Sequence, residues 1–324
     1  MTPRRFSAEL FFDPASEELR FLPECPRQLR NHPAGSGLLG WVAIQHGPGA
    51  ERGSVNVLDL ATGANTSHTL PGRPGFFAET TEPGVLLVGL ERRLVYFDLL
   101  RGALRETGIE VTGDERVIIN DGVAVEGGVL FGTKHLSFSQ PVAALYYYDF
   151  SSRRLRTIAG GQVCSNGKFL RREGAGFTLV DIDSMPKAIH RLRLDEGLTA
   201  VQETSLVAPP ESLPSFPDGL RPGPDGDSVI VAFYNPAAVT DGVARQFRIA
   251  DGAVVCEWSV PGSPRVTCPE VVEFGGEIRI VFTTAVEGMP EDSRRLAPGA
   301  GAIYMAPTPF RSAPAPPPLA PVLR

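Results

Sequence analysis

Asp218 stands between a proline and a glycine in Phe216-Pro217-Asp218-Gly219-Leu220, a setting suited to a metal ligand or a general base. Proline fixes φ and glycine permits a sharp change of direction, so the spacing predicts a rigid corner at the mouth of a β structure. Two similar steps precede it, Asn120-Asp121-Gly122 and Ser165-Asn166-Gly167, each with an Asx side chain before glycine. A fourth oxygen donor, Glu24, is held in Pro23-Glu24-Cys25-Pro26 at the end of an apolar run. Carboxylates together with amide carbonyls make a hard-oxygen set, which favours Ca²⁺, Mg²⁺ or Mn²⁺ over a thiolate-bound ion and leaves Zn²⁺ open. The competing reading is four unrelated turn residues, because an Asx-Gly step alone signals only a turn.

Whatever positions these residues is rich in turns. The 324 residues include 35 Gly and 30 Pro, which leaves little room for long helices and points to many short strands. An apolar share of 42% and a charged share of 21% are those of a globular protein. A net charge of -6 without a basic cluster gives no footprint for nucleic acid. No run has the length of a membrane-spanning helix, and Met1-Thr2-Pro3-Arg4-Arg5-Phe6 leads into Ser7 and Glu9, not an unbroken apolar segment. The expectation is a soluble, cytoplasmic protein that binds neither membrane nor nucleic acid; nothing in the sequence sets an oligomeric state. The four cysteines, at 25, 164, 256 and 268, form no C-x-x-C pair and read as buried free thiols.

Phe6 to Phe12 alternates as a strand, and Leu19 to Leu22 reads as another. A form then recurs, a β-rich run followed by Asp or a polar turn, often with Gly. It occurs at 55–63, 94–102, 145–150, 189–197 and 245–252, with a weaker copy at 302–306. The intervals of about 40 to 55 residues are within or a little above those of propeller blades, and further strand-like runs lie between the units, as at Gly84 to Leu90 and Ser228 to Ala232. The fold class expected is an all-β, six-bladed β-propeller over residues 1–311, closed by the Phe6 strand joining the last blade. Residues 312–324 read as a proline-rich tail, in polyproline II or disorder.

The ordered set Ile119-Asn120-Asp121-Gly122, Phe131-Gly132-Thr133, Cys164-Ser165-Asn166-Gly167, Asp183-Ser184, Pro217-Asp218-Gly219 and Ala232-Phe233-Tyr234-Asn235 resembles that of the regucalcin (senescence marker protein), gluconolactonase and luciferin-regenerating enzyme family. The resemblance implies a six-bladed propeller with one divalent ion, Ca²⁺ foremost, in its central channel, and hydrolysis of a lactone or other ester. Carried over by position, Glu24, Asn166 and Asp218 would be the metal ligands, Asp218 also the general base, and Asn120 would lie beside the metal and bind substrate or complete the shell through water. The family's sugar-binding arginine corresponds to Ile118, and its acidic contact to Ser137, with Lys134 and His135 nearby. Lys134 or His135 would meet an anionic group of the small-molecule substrate, the other reading being solvated loop residues. Three rival functions stay open: a non-catalytic propeller binding a small molecule at the same metal, a different reaction there such as phosphotriester hydrolysis or a lyase or isomerase step, and a protein-interaction propeller.

Overall fold

The computed structural model describes residues 2–323. Alternating apolar and polar residues, cut at short intervals by glycine, proline or aspartate, build antiparallel sheets almost throughout. Two short strands open the chain, β1 (Arg4–Ser7) and β2 (Glu9–Phe12), followed by the helix α1 (Glu17–Phe21). The first sheet is β3 (Pro23–Leu29), β4 (Leu38–Ala43), β5 (Gly53–Asp59) and β6 (Asn65–Leu70). The second is β7 (Pro74–Glu79), β8 (Val85–Leu90), β9 (Arg93–Asp98) and β10 (Ala103–Glu110). The third comprises β11 (Val117–Val125), β12 (Gly128–His135), β13 (Ala143–Asp149) and β14 (Arg154–Gln162). The fourth comprises β15 (Ser165–Glu173), β16 (Gly176–Asp183), β17 (Ala188–Leu194) and β18 (Val201–Leu206). In the fifth, β19 (Phe216–Pro222), β20 (Ser228–Tyr234), β21 (Gly242–Arg248) and β22 (Val254–Val260) take on β1 as a parallel fifth strand. The sixth has β23 (Val266–Phe274), β24 (Glu277–Thr284) and, after α2 (Glu291–Leu296), β25 (Ile303–Pro307), with β2 as its fourth strand. These are the sheets of a six-bladed β-propeller, as expected. No helix among the described residues is long and apolar enough to cross a membrane.

Contacts divide the chain into two compact units, one holding the first, fifth and sixth sheets and the other the second, third and fourth. In the first unit, Trp258 is fully buried against Phe6, Phe282 and Phe310, and Trp41 lies in a cluster with Leu39, Val281 and Ile303. In the second, Leu130, Leu145, Leu179 and Leu192 fill the space between the third and fourth sheets. Each such aliphatic side chain contributes about 1.5–3 kcal/mol on burial.

The six recurrent runs are the third strands of the six sheets, β5, β9, β13, β17, β21 and β25. Their terminal aspartates build the turns that follow. Asp59 Oδ1 accepts the N–H groups of Ala61 and Thr62 at 2.9 and 3.0 Å, and Asp98 and Asp149 repeat the pattern. Gly63, at φ +73°, and Gly102, at φ +62°, then supply the left-handed residue that closes the loop. These backbone donors hold Asp59 and Asp149 below the usual carboxylate range, and Arg116 holds Asp114 at about 2. A carboxylate whose folded pKa is depressed contributes stability above its unfolded pKa and loses it as pH falls through the folded one. The carboxylate share of the acid fall in melting temperature should therefore lie between about pH 4 and 2, and Asp149→Asn should make that fall shallower; scanning calorimetry across that range checks it.

Three local expectations change. The Phe6 strand breaks at buried Ala8: its second half joins the last sheet as anticipated, while its first half pairs with the sheet before. Leu19 to Leu22 is not a strand, because Ser16 caps α1 by accepting the N–H of Leu19 at 3.3 Å, with Glu17 and Glu18 in the first turn. The end of the proline-rich segment is seated on the second sheet. Ala320 exchanges backbone hydrogen bonds with Glu79 and Thr81, and Tyr96 Oη donates to Pro321 O and accepts from Leu323 N. Arg324, the last residue of that tail, lies outside the described residues, as does Met1.

Candidate functional site

Four of the six first strands carry a bulge in which two residues face one. Cys25 and Pro26 lie opposite Trp41, Asn120 and Asp121 opposite Gly132, Asn166 and Gly167 opposite Ile182, and Asp218 and Gly219 opposite Ala232. Bulges suspend the ladder and re-aim side chains, which is why they recur beside active sites. Glu24 is the last residue in register before its bulge, and Asn120, Asn166 and Asp218 are each the first residue that the register skips. The anticipated corners are thus not turns between strands but interruptions within them. Their glycines serve a different purpose from the one anticipated. Neither Gly122 nor Gly219 has a positive φ; a Cβ on Gly122 would strike the ring of Phe76 at 2.7 Å, and one on Gly219 would strike Thr267 O at 2.7 Å. Glycine stands there because neighbouring strands come too close for a side chain.

In the first bulge the left-handed residue is Cys25, at φ +48°, the only non-glycine residue within a strand to take that conformation among the described residues. Such a backbone costs an L-residue about 1–2 kcal/mol, and β-branching adds to it. Cys25→Val should therefore unfold at lower denaturant, destabilised by about 1–3 kcal/mol, whereas Cys25→Gly should stay within about 1 kcal/mol of the parent. Equal midpoints for parent and valine variant would remove the strain argument.

Within the second unit, Asn120 Nδ2 donates to Ser165 O at 3.0 Å and to Cys164 Sγ at 3.7 Å. Asn166 Nδ2 donates to Ser184 Oγ at 2.9 Å and to the same sulfur at 3.6 Å. Because the Ser165 carbonyl only accepts, it fixes the Asn120 amide with nitrogen inward. Neither Oδ1 accepts a hydrogen bond among the described residues, so both remain available as oxygen donors. Beneath them lies Lys168, fully buried, whose ammonium donates to Asn166 O and to Asp121 O and lies 3.5 Å from Asp181. Burial pushes the Asp181 carboxyl up, and the Lys168 charge and the amide of Gln162 pull against that rise. Asp183 accepts the N–H groups of Cys164 at 3.0 Å and Val163 at 3.3 Å, anchoring the start of β15. Asp121, unanticipated as a site residue, accepts Gly122 N at 2.7 Å through Oδ1, while its buried Oδ2 has no partner.

Within the first unit, buried Asp218 and half-buried Glu24 act on one phenol, that of Tyr234. Burial first, then the carboxylates of Glu287, Asp218 and Glu24, push that phenol far up, with Arg265 opposing them. Tyr234 therefore stays protonated and donates to Glu287 O at 2.8 Å, with Arg265 3.3 Å from its oxygen. A second cluster holds the Glu24 bulge from below. Glu270 lies 3.0 Å from Arg221 and 3.5 Å from Arg27, and both arginines donate to Pro26 O. Thr267 Oγ1 donates to Pro23 O at 2.6 Å.

Lys134 and His135 are not solvated loop residues: they end β12 and are 7% and 4% exposed. Ser137 follows on the surface, its Oγ 3.2 Å from His135 Nδ1. Ile118 is buried in β11, cross-strand from Lys134. In the first unit Glu24 and Asp218 carry carboxylates, and in the second Asn120 and Asn166 carry amide oxygens that accept no hydrogen bond among the described residues; each is a hard-oxygen donor of the kind a divalent cation takes. The four cysteines are buried and free, and among the described residues no three His, Cys, Asp or Glu side chains form a metal-holding group by themselves.

Residues 22–286 match the family profile described as SMP-30/Gluconolactonase/LRE-like region. An L-arabinolactonase from Azospirillum brasilense is 28% identical over 249 residues, 75% of this chain and 77% of that protein. Among solved structures, the calcium-binding protein regucalcin from Agrobacterium tumefaciens str. C58 superposes with a TM-score of 0.79 at 18% identity, over 98% of this chain and 99% of that one. A luciferin-regenerating enzyme superposes with a TM-score of 0.74 at 16% identity, over 92% and 95% of the two chains. With the profile matched over well more than half of its length, the chain belongs to the SMP-30/gluconolactonase/LRE-like family.

Proposed function

We propose that this protein is a metal-dependent hydrolase of a lactone or related ester. Its family membership and its L-arabinolactonase relative support lactone chemistry. The observation that supports carrying the reading to particular residues is that Asn120, Asn166 and Asp218 each open an equivalent bulge, with Glu24 directly before a fourth. Glu24, Asn166 and Asp218 would hold one divalent cation, Ca²⁺ by analogy with the calcium-binding regucalcin to which the fold is similar. When bound, such a cation supplies Lewis acidity toward the carbonyl oxygen of the ester.

The chain's own residues have separable tasks. Asp218 takes the proton of the attacking water, since a carboxylate at that position is a base within a protein site. Asn120, its amide nitrogen tied to Ser165 O, presents Oδ1 to a substrate hydroxyl. Lys168 fixes the two bulge carbonyls beneath the amides, and Arg221 with Arg27 does the same for Pro26, so the donors are preorganised before substrate arrives.

The test is elemental analysis of protein purified without chelator, with a lactone and ester panel run on the same sample. One divalent ion per chain and turnover of a lactone, both abolished by chelator and restored by Ca²⁺, are expected. Protein that neither holds nor takes up a divalent ion and hydrolyses nothing on the panel overturns the proposal.

A further inference from the structure

Lys134 poses a problem of charge. The residue is only 7% exposed, yet its Nζ makes no hydrogen bond and no ion pair among the described residues. Ile118 is its cross-strand partner, and the ring of Phe138 lies 5.8 Å from Nζ, within cation–π reach. No carboxylate on the neighbouring strands forms an ion pair with Lys134 among the described residues. Asp181 faces Lys168, Asp183 accepts the N–H groups of Val163 and Cys164, and Asp121 Oδ1 takes Gly122 N while its unpartnered Oδ2 forms no ion pair. With its stem buried, its head in reach of solvent and only an aromatic face beside it, the ammonium keeps its capacity to pair with an anion that enters.

Position supplies the second argument. The backbone of Lys134 bridges to Cys164, whose sulfur meets the amide nitrogens of both Asn120 and Asn166. Lys134 thus adjoins the strands that present the two unengaged amide oxygens, and its Nζ is not sealed from solvent. We infer that Lys134 is a specificity-determining residue that pairs with a carboxylate of the substrate, so that the preferred lactone is one carrying a free carboxylate. This rests on the lactone-hydrolase reading above. A single ammonium suits a monoanionic carboxylate better than a phosphate, which usually collects several donors.

The parent and Lys134→Met are assayed with two lactones of equal ring size, a neutral aldonolactone and the monolactone of an aldaric acid, which keeps one carboxylate. Calorimetry follows binding of the hydrolysed diacid to both proteins. The parent should prefer the carboxylate-bearing lactone, chiefly through KM, and the methionine variant should lose about 10- to 100-fold on it, the size of a charge-assisted contact. Its anionic-over-neutral ratio should approach one. Equal turnover of both lactones by the parent, changed alike by the substitution, overturns the inference and leaves the hydrolase reading standing. Diacid binding that is lost in the variant, without turnover of either lactone, keeps the anion site and removes the hydrolase reading. Neither turnover nor binding removes both. Preference for a 6-phosphorylated aldonolactone over the aldaric monolactone overturns the carboxylate assignment. Lys134→Gln serves if Lys134→Met does not fold, although removing an unpaired cation should leave the melting temperature no lower.

Discussion

Asp218→Ala is expected to lower kcat for lactone hydrolysis by about 10²- to 10⁴-fold, the range for loss of a positioned general base, and to release the bound ion as well. The fold should survive, because β19 and β20 pair on either side of the bulge, Pro217 with Phe233 and Leu220 with Val231, and the ladder bypasses Asp218. Asp218→Asn separates the two roles. It keeps one carbonyl oxygen for a cation but has no basic site, so metal should be partly retained while kcat stays low. Stopped assays and elemental analysis give the two readouts. Full activity of Asp218→Ala, with folding and metal content intact, would sink the assignment.

The propeller was legible because its blade is a repeating local pattern. The runs ending in Asp59, Asp98 and Asp149 combine strand alternation with a carboxylate that folds its own turn, and both properties belong to a few consecutive residues. Asn166 and Asp218 stand out for a similar local reason, an Asx residue beside glycine, and Asn120 stands one residue before the same step at Asp121-Gly122. What the sequence hid lies across strands. A bulge is defined by the register against a neighbour, so Asn166 looked like a turn residue until Ser165 and Lys168 were seen to pair with Asp183 and Asp181 around it. The glycines at 122 and 219 were misjudged because close approach involves Phe76 and Thr267, distant in the chain. Lys134 and His135 looked like loop residues because a polar pair after Gly132-Thr133 resembles a strand end, whereas β12 carries both into buried surroundings. Leu19 to Leu22 misled in the opposite direction, four residues too few to distinguish a strand from the capped turn that Ser16 begins.

Lys168→Met should destabilise the protein by about 3–5 kcal/mol, the cost of stranding one partner of a buried ion pair. Lys168 and Asp181 are cross-strand neighbours in β15 and β16, and both side chains are fully inaccessible to solvent. Without the ammonium, Asp181 keeps Gln162 and Ser165 as hydrogen-bond donors but no opposite charge from lysine, and its carboxyl, already raised by burial, should rise further. The sign for pH follows. A carboxyl with a folded pKa above its unfolded one destabilises most when ionised, so the deficit of Lys168→Met should shrink as pH is lowered through the raised value. In Lys168→Met/Asp181→Leu both charges are gone, and urea midpoints should recover most of the loss, giving a large coupling energy in the double-mutant cycle. Activity should not recover with stability. The lysine also donates to the backbone carbonyls of Asn166 and Asp121, two bulge residues, and leucine at 181 restores neither bond. A double variant that is stable yet slow would show that the buried pair is retained for the geometry of the amide donors above it. If stability and kcat return together, Lys168 is a structural cation and the bulges hold their shape without it.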